Sequence, residues 1–182
     1  ANPGFVMDLF PLMAATSSRN IKAISVRRVV DTADRRAQLV EKTGRGLSRS
    51  EFDAGIASGT LGHKGLVASA KLLAHALGWP HHDVKETITP VLDGEVVSGI
   101  HHHVVLRTDG RIITMDLVMD WEPDDPGDTV TIDGEPPLQI RIEGGYHGDR
   151  GTTTQIVQAL RRCTTLPPAF YRPVDLPLRI GP

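Results

Sequence analysis

Five of the eight histidines fall in two clusters, His81-His82 and His101-His102-His103. Imidazole moves protons near neutral pH and ligates transition metals, so the direction of each ring decides its use. With Asp109-Gly110 as a two-residue hairpin turn, Thr108 pairs with Arg111, Leu106 with Ile113, Val104 with Met115 and His102 with Leu117. Side chains alternate across a strand. His102 then shares an apolar face with Ile113, Met115, Leu117, Met119 and Trp121. His101 and His103 point the other way, His103 opposite Asp116 and His101 near Asp116 and Asp120, on a face that includes Val105 and Val118. Two imidazoles and a carboxylate on one face are a ligand set for a transition metal. Cross-strand His/Asp pairing on a solvated or interface face is the commoner use. No H-x-x-x-H helix or cysteine ligand supports the first alternative, so the expectation is an interface without metal.

Other chemistry finds less support. There is no G-x-S-x-G elbow, and Cys163 falls on the apolar side of the last helical segment, where a core thiol is expected. No G-x-G-x-x-G follows a strand. Gly144-Gly145 and Gly148-Asp149-Arg150-Gly151 precede that last helix and read either as an anion-binding helix start or as a glycine-rich turn with Asp149 near the N-cap. Arg27-Arg28 and Arg35-Arg36 read as solvated pairs rather than phosphate clamps. Twenty basic against twenty-two acidic residues leave no broad electrostatic footprint for nucleic acid or an anionic membrane, so neither is expected as a partner.

The elements that must position these groups follow from local signals. Asn2-Pro3 reads as an N-cap with proline at the first helical position, followed by an apolar stripe at Val6, Leu9, Phe10 and Met13 that Pro11 should kink or shorten. β-branched density over 21–30 predicts a strand, and 31–47 a loop with at most a helical turn. Ser48-Arg49-Ser50-Glu51 matches a capping box opening a short helix through Ile56. Leu66, Ala70, Leu73 and Leu77 mark a second helix that Gly78 ends. Extended patterns at 84–92, 96–108, 111–121, 128–133 and 137–143 predict an antiparallel meander, with Asp133-Gly134 as a second turn. A last helix follows Gly151, with Ile156, Val157, Leu160 and Cys163 on one side. Helices before and after a run of strands predict an α+β fold, a largely antiparallel open sheet with helices packed on one face.

The 182 residues, 40% hydrophobic and 23% charged, suit one packed domain. Residues 1–163 are read as that domain, and 164–182, with five prolines, as an extended tail. A single cysteine fits a reducing compartment, the cytoplasm. No run of about 18 apolar residues suggests a membrane span. The chain opens on Ala1 rather than methionine, at a predicted helix start, and is treated as a candidate fragment.

Asn2-Pro3-Gly4-Phe5 with Asp8 and Pro11, then Gly62-His63-Lys64-Gly65, then Gly144-Gly145 and Gly148-Asp149-Arg150 resemble the C-terminal region of the dihydrodipicolinate-reductase-like superfamily. The branch it most resembles is that of 2,4-diaminopentanoate dehydrogenase and the native amine dehydrogenases. The resemblance spans nearly the whole chain and is most specific in its opening segment. It implies an N-terminal Rossmann domain, absent from this chain, that binds NAD or NADP, with none bound by this chain alone. The C-terminal domain would wall the substrate pocket and assemble a homo-oligomer through its sheet. Where dihydrodipicolinate reductases carry paired histidines, a lysine and Pro-Ser-Gly-Thr, this chain has Val30-Asp31 and Lys42-Thr43-Gly44. An amine or carbonyl substrate converted by hydride transfer is therefore implied. Asn2, Pro3, Gly4, Phe5, Asp8, Lys42 and His63 would face substrate or cofactor, with Phe5 as an apolar wall and Lys42 as a polar contact. His101, His103, Val105, Asp116 and Val118 would lie at the oligomer interface. The acidic residue for proton transfer belongs to the missing half, so no catalytic residue is assigned. Two other classes stay open: a stand-alone binding or dimerisation module, and a metal-dependent hydrolase built on His101, His103 and Asp116.

Overall fold

In a computed structural model, residues 5–80 and 83–177 are described. They form α1 (Leu9–Ala15), β1 (Arg19–Asp31), α2 (Ala37–Lys42), α3 (Arg49–Ser58), α4 (Leu66–Ala76), β2 (Asp83–Asp93), β3 (Val96–Thr108), β4 (Arg111–Asp120), β5 (Gly127–Glu135), β6 (Leu138–Glu143), α5 (Gly148–Cys163) and a 3-10 turn at Pro173–Asp175. One six-stranded sheet runs in the order β2-β3-β4-β1-β5-β6. Every neighbouring pair is antiparallel except β1 with β4. This is the expected α+β fold with a largely antiparallel open sheet.

The meander needs one correction, because β1 enters between β4 and β5. Its side chains explain the central place. Ile24, Val26 and Val30 are buried on one face and Val29 on the other, so this segment needs a neighbour on each edge and cover on both sides. The β3–β4 hairpin follows the turn chemistry. Asp109 and Gly110 both have positive φ, as a two-residue turn matched to strand twist requires, and all four expected pairs form. Asp133-Gly134 is not a turn but lies inside β5; the chain reverses at Pro136-Pro137.

Local caps hold as the residues dictate. Ser48 Oγ accepts from Glu51 N, and Glu51 Oε2 accepts from Ser48 N at 2.8 Å, a complete capping box on α3. At the end of α4, Gly78 N donates to His75 O and Trp79 N to Ala74 O, with Gly78 left-handed, the pairing of a Schellman motif. Leu66, Ala70, Leu73 and Ala74 of α4 join Val104, Leu106, Ile113, Met115 and Leu117 of the hairpin in the core.

Both end helices depart from expectation. α1 begins at Leu9; Asn2 and Pro3 lie outside the described residues. Pro11 is the third residue of α1, where its missing N–H has no helical partner to lose, so it does not break the helix. Val6 and Met7 are buried ahead of the helix while Met13 is exposed, so the predicted stripe does not form. α5 begins at Gly148, three residues before Gly151, and is capped by His147, whose Nδ1 accepts from Arg150 N. Its apolar side faces outward: Ile156, Val157 and Leu160 are exposed, and so is Cys163, which is not a core thiol. Residues 164–177 fold back along this helix, with Tyr171, Pro173 and Leu176 lining a hollow shared with Ile156 and Ala159. Among the described residues no helix is long and apolar enough to cross a membrane.

Candidate functional site

A cavity of about 370 Å³ opens between the C-terminal half of β1, α2, the loop before α4 and the first turn of α5. Its floor is the helix side of the sheet: Val30, Ile100, Leu117 and Met119. Charge converges around that apolar floor. Arg28, Arg35, Arg36, Lys42 and Lys64 line it, with Asp149 as the carboxylate among the lining residues.

Arg28 leaves β1 on the buried face, with Asp128 of β5 as its cross-strand partner. Its Nη1 donates to Asp128 Oδ2 at 3.2 Å and its Nη2 to Tyr146 O at 2.7 Å. Tyr146 N donates to the same Asp128 oxygen at 2.6 Å. The arginine is 3% and the aspartate 1% exposed. Burial lowers the Arg28 pKa, against the attraction of Asp128. Burial likewise raises the Asp128 carboxyl, against the pull of Arg28. A guanidinium keeps its proton at neutral pH even so. The pair is therefore a desolvated cation held in place by a matching anion.

Arg35 is also nearly covered, its side chain 7% exposed, 3.5 Å from Asp149 Oδ2. Its Nη1 lies 3.2 Å from His147 Nδ1. A guanidinium only donates, so His147 presents a bare Nδ1 to both Arg35 and the helix start. Asp149 bridges Arg35 and Arg36. The segment 148–151 takes the second of the two forms read from the sequence, a capped turn with Asp149 in the first helical turn, at the rim of a cationic cavity.

Lys42 and His63, singled out in the sequence, line this same cavity. His63 stands edge-on to His102, with ring centroids 5.6 Å apart. His102 is fully buried, its Nε2 2.8 Å from Glu86 Oε1. Burial lowers its pKa, with Glu86 opposing. Phe5 does not line the cavity; it packs on Tyr146 at 4.9 Å and on Phe10 at 6.0 Å, against the residue whose backbone holds Arg28. Asp8 is buried. Asn2, Pro3 and Gly4 lie outside the described residues, as do His81 and His82.

The reading of Arg27-Arg28 and Arg35-Arg36 as solvated pairs is corrected, since Arg28 and Arg35 are buried at the cavity. A signal for Arg28 existed: it alternates with Ile24, Val26 and Val30 on the buried face of β1, whereas Arg27 falls on the other.

On the open face, His101 Nε2 lies 2.8 Å and His103 Nδ1 2.7 Å from one oxygen of Asp116. Val105 and Val118 are half-buried beside them. Asp120 does not join the cluster through any described hydrogen bond; its Oδ1 accepts from Trp121 N.

Fold and cavity together describe an α+β domain with a cation-lined cavity on the helix side of its sheet. The profile of a family described as the 2,4-diaminopentanoate dehydrogenase C-terminal domain matches residues 5–181, and the chain belongs to that family. It is 28% identical over 196 residues to a 2,4-diaminopentanoate dehydrogenase of Acetoanaerobium sticklandii, covering 97% of this chain and 56% of that protein. Its fold is similar to that of an amine dehydrogenase from Mycobacterium smegmatis, with a TM-score of 0.83 at 16% identity, over 97% of this chain and 57% of the other. The chain thus spans little more than half the length of each.

Proposed function

We propose that this chain is the substrate-and-assembly domain of an NAD(P)-dependent oxidoreductase acting on an amine or carbonyl/imine substrate by hydride transfer, and that the cavity receives the substrate. The observation that carries this reading is the cavity itself: cations around an apolar floor, in a domain of a dehydrogenase family. The A. sticklandii relative is named for a diamino acid, and a carboxylate-bearing amine suits such a cavity. Arg35 and Lys42 would hold the carboxylate, while Val30, Leu117 and Met119 would keep water from the carbon chain.

The residues present do not fit the dinucleotide. The chain lacks a G-x-G-x-x-G turn, and the first turn of α5 is occupied by Asp149. NAD or NADP is accordingly assigned to an N-terminal domain beyond this chain, where it would supply the hydride partner; what these residues contribute is binding and orientation of the substrate. The same reading sets a second copy of the chain against the open sheet face around Val105 and Val118, in the cytoplasm.

The test is a longer protein carrying this domain, assayed for NAD(P)-linked oxidation of amines with and without a carboxylate. Turnover should favour the carboxylated amine, and Arg35→Ala should raise its KM roughly tenfold or more, the scale of a lost charge-assisted hydrogen bond. An absence of NAD(P)-linked turnover across amines and carbonyl compounds would refute the reading.

A further inference from the structure

The open sheet face gathers a second set of side chains with chemistry of its own. His101 and His103 leave β3 on the same side, two residues apart, and Asp116 of β4 lies opposite His103 in the ladder. Both rings reach the same carboxylate oxygen, Asp116 Oδ1, and the three ligand atoms lie within 4.8 Å of one another. Burial raises the Asp116 carboxyl, but hydrogen bonds and charge from the two imidazoles outweigh it and hold the group below the usual carboxylate range. An ionised carboxylate only accepts hydrogen bonds, so each ring turns an N–H toward it. Among the described residues its ion pairs are these two histidines; Arg27, its neighbour on β1, is not paired with it. In the single chain the three side chains are 40%, 36% and 23% exposed, so an ion can reach them before a second copy covers this face.

We propose that His101, His103 and Asp116 form a binding site for a divalent transition-metal ion of the zinc type. Two imidazole nitrogens and one carboxylate oxygen are donors that Zn²⁺ prefers, with a fourth position left to water, whereas Mg²⁺ and Ca²⁺ favour oxygen alone. The sheet supplies the spacing, because residues i and i+2 share a face and the cross-strand neighbour completes a triangle. Binding replaces the two N–H···O bonds. The proton that each ring turns to Asp116 moves to the other nitrogen, or leaves to solvent where that nitrogen already carries one, so two lone pairs turn to the ion. Asp116 exchanges two hydrogen bonds for one metal bond, and its charge offsets half that of the ion. All three ligands come from one chain, so the site does not depend on the second copy assigned to this face.

The experiment is calorimetric titration of the tag-free 182-residue chain with ZnCl₂, with visible absorption of bound Co²⁺ as a second readout. One ion per chain should bind with micromolar affinity, undisturbed by excess Mg²⁺. The double variant His101→Ala/His103→Ala, altered only at half-exposed positions and checked for folding by circular dichroism, should lose it. Asp116→Asn should weaken binding by at least about tenfold, a loss reached even by groups behind the ligands in metal sites. His63→Ala, which alters a histidine on the other face, should leave it unchanged. No saturable Zn²⁺ binding, or binding that survives in the double variant, would overturn the proposal.

Discussion

Asp128→Asn removes the negative charge that matches the buried Arg28 guanidinium while keeping side-chain shape and an oxygen for Tyr146 N. With both partners at 3% exposure or less, the variant leaves a desolvated cation faced by neutral acceptors alone, the amide oxygen and the Tyr146 carbonyl. Breaking a buried pair on one side costs about 3–5 kcal/mol, and retention of the Tyr146 bond puts the expected loss near 3 kcal/mol. For a domain of this size that lowers Tm by roughly 6–12 °C. Urea unfolding at neutral pH, followed by circular dichroism, measures it. The companion variant Arg28→Met removes the cation, so the double variant Arg28→Met/Asp128→Asn should be about 2 kcal/mol more stable than the sum of single losses implies. A loss below about 1 kcal/mol for Asp128→Asn, or additivity within about 0.5 kcal/mol, would show that the pair is not the desolvated unit its geometry describes.

The lowered Asp116 pKa means that its ionised form stabilises the fold above the ordinary carboxylate value near 4, and that this contribution is lost as pH falls through the folded value. The stability difference between wild type and Asp116→Asn, followed by urea titration, should therefore shrink as pH falls below about 4. His102, held neutral by burial, contributes stability that is full above about pH 6.5 and declines as pH falls below it; a pH dependence unchanged in His102→Gln would count against this. Val105→Glu with Val118→Glu should dissociate the proposed homo-oligomer, which needs upward of about 1,200 Å² of buried surface to be stable, and sedimentation velocity reads the result. Calorimetry of the isolated chain with NAD(P)H should give no measurable heat of binding; micromolar affinity would contradict the assignment of the dinucleotide to another domain.

What could be read from residues alone divides by distance along the chain. The β3–β4 register, the outward turn of His101 and His103 and the caps of α3 and α4 depend on turn and cap chemistry within a few residues, and all formed as expected. The side chains of β1 call for a neighbour on each edge, but its partners lie about ninety residues away or more, and no local pattern says which strands they are. Arg28 was legible in principle, because the alternation that marks Ile24 as buried marks position 28 too, but the doublet with Arg27 read as surface charge. α5 was misread for a different reason. Amphipathic spacing says that Ile156 and Leu160 share a side, not that anything covers it. Lys42 and His63 came from family resemblance, and the fold brings them to one cavity.

The central position of β1 also sets an order in time. As a chain leaves the ribosome, β1 is made first among the strands, yet both edges it must pair with, residues 112–120 and 127–135, come last but for β6. The β2–β3–β4 hairpins can form locally while β1 waits, and pairing at such sequence separation slows folding. The cavity floor draws on β1, β3 and β4 together. It therefore exists only after that late closure, and a nascent chain stalled before β5 would carry its cations without the anion, Asp128, that holds Arg28 in place.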